Sequence, residues 1–218
     1  TSMGSGASAT KSTGPIEPDV PSGDAAARDA LLATQAEPFV DAFVDDAPRL
    51  TPDGKQLVFR SNRDGLPQLY VATVANVDDP PKRLFASDNR VALAEISGDG
   101  KWVYFRSDDK GDENWRIYRV SIDGGTPVRV SSDEPSMRFD PFIPKNEPGT
   151  MFYESRLKSE KGTRIMRQSV EPGSQIQIAH VETEPAWIFA VSDDGKQALL
   201  ERVVSGTDQK LVVVDLMK

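Results

Sequence analysis

Thr51-Pro52-Asp53-Gly54-Lys55-Gln56-Leu57-Val58-Phe59 is the stretch on which the fold turns. Asp-Gly supplies a tight reversal, because glycine alone takes a positive φ without a steric penalty, and the apolar run directly behind it has strand chemistry. The pattern recurs: Ser97-Gly98-Asp99-Gly100-Lys101 precedes Trp102-Val103-Tyr104-Phe105, and Ser192-Asp193-Asp194-Gly195-Lys196 precedes Ala198-Leu199-Leu200. A degenerate copy, Lys145-Asn146-Glu147-Pro148-Gly149-Thr150, precedes Met151-Phe152-Tyr153. Gly54, Gly100, Gly149 and Gly195 stand 46, 49 and 46 residues apart.

Working outward, each repeat carries more strands. Gln68-Leu69-Tyr70-Val71, Arg116-Ile117-Tyr118-Arg119-Val120, Arg164-Ile165-Met166 and Leu211-Val212-Val213-Val214 begin 14 to 16 residues past their glycines. Polar loops such as Asn62-Arg63-Asp64-Gly65 turn the chain between the second and third strands. Ahead of the turns lie Ala47-Pro48-Arg49-Leu50, Val91–Ile96, Phe139-Asp140-Pro141-Phe142-Ile143 and Trp187–Val191. Behind the third strands lie Arg83-Leu84-Phe85, Val128-Arg129-Val130 and Gln175-Ile176-Gln177-Ile178. Four short strands in a repeat of about 45 residues is the arithmetic of a propeller blade. The expectation is an all-β propeller: four blades of four antiparallel strands, at 41–86, 87–132, 133–180 and 181–218. A βαβ fold would need a helical segment in every repeat, and none is present.

The chain ahead of the repeats differs. Residues 1–23 are mostly Ser, Gly, Ala, Thr and Pro, with too little apolar surface to offset the entropy of ordering, and they read as a flexible tether. Residues 24–40 form a short helical lead-in, strongest over Asp24–Gln35, with Asp24 as N-cap and Pro38 ending or kinking it. The small-residue opening fits a spacer behind an export signal or lipid anchor, which is preferred to a cloning remnant at Thr1-Ser2-Met3-Gly4 and places the protein outside the cytoplasm.

Composition bounds the function. The 218 residues carry 26 Lys and Arg against 34 Asp and Glu, a net charge of -8 that repels phosphate backbones, so nucleic acid is not an expected partner. No apolar run approaches the ~20 residues of a membrane helix. With no cysteine the chain has neither disulfides nor thiolate metal sites.

The repeats resemble the PD40 class found in TolB-like proteins and in the N-terminal propeller of prolyl oligopeptidase (S9) family serine peptidases. Leu50 to Val71 is similar to the opening blade of bacterial S9 enzymes of the dipeptidyl- and acylaminoacyl-peptidase type. That resemblance implies a propeller gating peptide access to an α/β-hydrolase domain that follows it in the same chain. The 218 residues contain no Gly-x-Ser-x-Gly nucleophile elbow, so the segment itself is expected to be inactive. The resemblance also implies that the four blades form part of a seven- or eight-bladed ring, and since an unclosed array exposes raw sheet edges the parent chain is expected to continue past Lys218 with further blades. The alternative is a TolB-like protein-binding propeller with no enzymatic activity.

No residue is assigned a catalytic, cofactor-binding or metal role. His180 is the only histidine and lacks the base-and-orienter company that catalysis needs, so it reads as structural or exposed. Asp108-Asp109-Lys110-Gly111-Asp112-Glu113-Asn114 fails the calcium-loop spacing and reads as a solvated hairpin tip, as do the doublets Asp45-Asp46, Asp78-Asp79 and Asp193-Asp194. Trp102, Trp115 and Trp187 invite a binding-platform reading, but Trp102 and Trp115 occupy strand positions that suit packing between sheets. Arg60 and Arg106 hold equivalent places in successive repeats and are expected to hydrogen-bond from blade to blade in preference to capturing a substrate carboxylate.

Overall fold

The computed structural model describes residues 20, 22–40, 42–76, 78–173, 175–181 and 185–217, with the side chains of 93, 94 and 179–181 outside that description. Most of the expected tether at 1–23 therefore lies outside the described residues. The chain divides into two units, one ending at Ala42 and one running from Phe43.

The first unit contains α1, Asp24–Val40, which has Pro38 in its last turn and no buried residue. Ala27 N–H donates to the Gly23 carbonyl at 3.2 Å, so the cap is Gly23 and not Asp24 as the sequence suggested. Asp24 opens the first turn instead, where its charge complements the helix dipole. Pro38 is accommodated and the helix continues two residues beyond it. Neither α1 nor any other described helix is long and apolar enough to cross a membrane.

The second unit is a propeller of four antiparallel sheets. The first holds β1 (Asp45–Leu50), β2 (Gln56–Ser61), β3 (Gln68–Thr73) and β4 (Lys82–Arg83) in sequential order. The second repeats this with β5 (Val91–Ile96), β6 (Trp102–Ser107), β7 (Arg116–Ser121) and β8 (Val128–Arg129). The third has β9 (Met137–Arg138), β10 (Thr150–Arg156), β11 (Thr163–Ser169) and β12 (Gln175–Val181). The fourth has three strands among the described residues: β13 (Ala186–Val191), β14 (Gln197–Ser205) and β15 (Asp208–Asp215).

The turn chemistry explains why the repeat is legible. In the first blade Thr51 Oγ1 donates to Asp53 Oδ1 at 2.7 Å and accepts from Gln56 N at 3.0 Å, while Lys55 N–H donates to the same carboxylate oxygen at 3.1 Å. Gly54 sits at φ +71°, and Gly100 and Gly195, in the same bonded frame built on Ser97–Asp99 and Ser192–Asp194, sit at +72° and +69°. The motif thus needs a hydroxyl, a carboxylate and a glycine at fixed offsets. The degenerate copy closes differently: Thr150 N–H and Oγ1 both return to Glu147, at 3.1 and 3.0 Å, and Gly149 is not left-handed.

One strand departs from expectation. The first strand of the third blade, expected over Phe139–Ile143, is a two-residue β9 paired with Ser155 and Arg156, followed by a separate bridge between Phe142 and Phe152. Pro141 has no N–H for a ladder, and the pairing breaks around it.

The core lies between sheets, not within a sandwich. Val58, Leu69, Val71, Leu84, Val91, Val103 and Phe105 fill the gap between the first two blades. Tyr104, Ile117, Val130, Met151 and Met166 fill the next, and Phe152, Ile165, Ile188, Ala198 and Leu200 the third. Alternate residues of one strand, Val103 with Phe105 and Tyr104, therefore serve different gaps. A middle blade is apolar on both faces, which is why its strands read as continuous apolar runs.

Candidate functional site: a cation–aromatic ladder

Registers align the second strands exactly enough to compare positions. Arg60 lies opposite Leu69, Arg106 opposite Ile117, Glu154 opposite Ile165 and Glu201 opposite Leu211. One repeat position thus carries Arg, Arg, Glu and Glu in successive blades, close to the loops joining second to third strands.

Arg60 forms a two-oxygen pair with Asp46 on its own blade, donating Nε to Oδ1 at 2.7 Å and Nη2 to Oδ2. That hydrogen bond holds the Asp46 carboxyl below the usual carboxylate range. Arg106 crosses to the third blade, donating Nε to Asp140 Oδ1 at 2.5 Å and Nη1 to the Arg138 carbonyl at 3.0 Å. Blade-to-blade bonding therefore holds for Arg106, whereas Arg60 bonds within its blade.

Glu154 is 2 % exposed, and its carboxylate accepts the Ile188 N–H of the fourth blade. Burial pushes its pKa up to about 7, with the Asp140 charge adding to the rise and Arg106 opposing it.

Around these groups guanidinium and aromatic planes alternate. Arg90 and Arg106 lie 4.8 and 5.1 Å from the Trp115 ring, Arg106 and Arg156 lie 5.9 and 5.0 Å from Phe139, and Arg156 lies 4.6 Å from Trp187. The series runs from the second blade to the fourth. At each step a flat, weakly hydrated cation covers a ring face that would otherwise meet water. Arg138, 1 % exposed, ties the same region together by donating to the carbonyls of Trp115, Ser132 and Glu134 at 3.3, 3.4 and 2.9 Å.

Among the residues singled out from sequence, Trp115 and Trp187 belong to this ladder. Trp102 lies at the other end of the blades, its ring 4.4 Å from Arg119, in a cavity of about 550 Å³ bordered also by Tyr104 and Glu171. All three tryptophans are partly buried and give ring faces to arginines; Trp102 packs against the core between the second and third blades as expected, whereas Trp115 stands just ahead of β7 and not within a strand. His180 stands in β12 opposite Arg164.

The tip of the acidic loop, residues 109–111 and 113, is exposed as expected, but Asp108 and Asp112 are drawn inward. Asp108 is 2 % exposed and takes both Nε and Nη2 of Arg90, at 3.1 and 2.8 Å. Asp112 binds Asn114 N–H at 3.0 Å and Arg116 Nη2 at 3.2 Å. These carboxylates are committed to internal partners. Asp45 likewise pairs with Arg63 at 2.8 Å, Asp79 closes an exposed turn on Asn76, and Asp194 closes its glycine turn.

Glu154, Arg138 and Arg156 were not singled out from the sequence. For Glu154 a signal existed in Phe59-Arg60-Ser61, Phe105-Arg106-Ser107 and Tyr153-Glu154-Ser155, where aligned repeats reverse a charge. Arg138 and Arg156 carry no comparable repeat signature.

A fan of blades with buried ionic cross-links defines the chain as a β-propeller of the repeat class its turns announced. Residues 24–148, more than half of the chain, match the family described as the dipeptidyl peptidase IV (DPP IV) N-terminal region, and the chain belongs to that family. Among solved structures it is similar to TolB from Acinetobacter baumannii, at 19% identity and TM-score 0.58 over 81% of this chain and 41% of that one. It is also similar to a protein assigned as TolB from Agrobacterium tumefaciens, at 17% identity and TM-score 0.63 over 79% of this chain and 62% of that one. At these identities the likeness is one of fold, and the chain spans less than two thirds of either structure. No curated protein sequence matches it.

Proposed function

We propose that this chain is the non-catalytic propeller portion of an S9-like serine peptidase of the dipeptidyl- or acylaminoacyl-peptidase type. In this reading it gates the access of peptides to a separate α/β-hydrolase domain. The observation that carries the reading is the match of 24–148 to the dipeptidyl peptidase IV N-terminal region. The 218 residues hold no nucleophile elbow, so the acyl-enzyme chemistry belongs to a further domain of the parent chain. Ionic cross-links such as Arg106–Asp140 are compatible with a gating role, because they tie neighbouring blades to one another.

The TolB-like structures favour a second reading, a propeller that docks partner proteins and carries no enzyme. Fluorophosphonate labelling separates the two. Under the peptidase reading the 218-residue chain does not label, while the product of its whole gene labels at one serine. An unlabelled whole product overturns the peptidase assignment, and labelling of the 218-residue chain overturns its non-catalytic role.

A further inference from the structure

The ladder contains three arginines, and comparing them isolates one. Arg90 and Arg106 each combine an aromatic face with a carboxylate, Asp108 and Asp140 respectively. Arg156 has two aromatic faces, Phe139 and Trp187, and donates Nε to Thr163 Oγ1 at 3.0 Å. No carboxylate pairs with it among the described residues, and its Nη2 is buried with no acceptor. Burial lowers its pKa and the charge of Glu154 opposes that shift without reversing it, so desolvation of the guanidinium is only partly offset. Arg138 is shifted the same way, yet backbone carbonyls occupy both of its terminal nitrogens.

Arg156 borders a cavity of about 280 Å³ with Met137, Leu157, Lys158, Glu160 and Pro185. Lys158 donates to the Asp112 carbonyl at 3.1 Å, a neutral partner, and Glu160 is engaged by Arg164 through Nε at 2.8 Å. The cavity therefore combines a guanidinium short of one acceptor, a second cation on the rim and apolar walls. Its volume suits one residue, below the usual range for larger ligands.

We propose that this cavity is a carboxylate subsite, in which Arg156 binds the terminal carboxylate of a peptide whose last side chain packs against Met137, Leu157 and Pro185. The anion fills for Arg156 the place that Asp108 and Asp140 fill for Arg90 and Arg106. The site goes beyond the gating role and is tested on the 218-residue chain alone, so its failure is separable from failure of the peptidase reading.

The test is calorimetric titration at pH 7 with N-acetyl-leucine, with N-acetyl-leucinamide, and with N-acetylglutamic acid α-amide, whose carboxylate is on the side chain. N-acetyl-leucine is expected to bind saturably, and its amide at least roughly tenfold more weakly, because the amide cannot neutralise the fork. Stronger binding by the glutamate derivative keeps the carboxylate subsite but overturns its assignment to a chain end. Arg156→Met should abolish binding, and Arg156→Lys, which keeps charge and stem, should weaken it about tenfold while retaining the parent melting temperature. Equal binding of acid and amide, no binding of either acid, or undiminished binding by Arg156→Lys overturns the proposal, and the last arm stands even where Arg156→Met fails to fold.

Discussion

Glu154→Gln should change how stability depends on pH, with a sign opposite to that of an ordinary ion-paired carboxylate. In the folded chain burial raises this carboxyl to about 7, against a model-compound value of 4.5. The native state therefore holds the proton more tightly than the unfolded chain does. The resulting stabilisation is fully present below about pH 4.5 and is lost as pH rises through about 7. At ~1.4 kcal/mol per tenfold change in proton affinity, the loss between those limits is on the order of 3 kcal/mol, or roughly 6–12 °C in melting temperature for a chain of this size. Glutamine is neutral at every pH and keeps a side-chain carbonyl for the Ile188 N–H that Glu154 now accepts. Asp46 and Asp108, whose carboxyls are held low by Arg60 and Arg90, titrate in acid and are common to both proteins. Thermal melts at pH 5 and pH 8 should show the parent losing about 3 kcal/mol more than the variant over that interval, with the variant the more stable at pH 8. Parallel melting curves, or a parent that gains stability relative to the variant with rising pH, would refute the assignment of a protonated, buried Glu154.

The remaining expectations concern the frame. Gly124→Ala should cost more than about 2 kcal/mol, since φ is +92° and a Cβ would meet the Leu84 carbonyl oxygen of the neighbouring blade at 2.7 Å. Gly54→Ala, at φ +71° with nothing within 4 Å, should cost only about 1 kcal/mol. Urea denaturation that ranks the two equally removes the close-approach argument. Arg106→Ala should destabilise by about 2 kcal/mol, losing Asp140 and the Arg138 carbonyl together. Asp140→Ala should cost less, because Arg106 keeps the carbonyl, and a reversed order in the same denaturation series would show that Asp140 has a further role.

How much of this was legible follows from where each constraint acts. The turns were readable because their chemistry is local: Thr51, Asp53 and Gly54 satisfy one another within a few residues, so the pattern survives in sequence, and the copy at 145–150 blurs where Glu147 and Thr150 close the turn instead. Apolar runs marked the strands because each middle blade is covered on both faces. The shortened β9 was not legible, since what decides it is Pro141 meeting a ladder whose partner, β10, is supplied from beyond the turn. The ladder was legible only in part. Arg60 and Arg106 announced themselves by repetition, but the identity of a partner depends on which blade lies alongside, and sequence does not say that Arg106 reaches Asp140 while Arg60 stays with Asp46. Glu154 is the instructive case. Its position is fixed by the same periodicity that made the arginines visible, yet its meaning lies in the break from that periodicity. The buried charge reversal at Glu154 is met by a donor from the next blade, the Ile188 N–H. Departures from the repeat, more than the repeat itself, therefore locate the chemistry of this propeller.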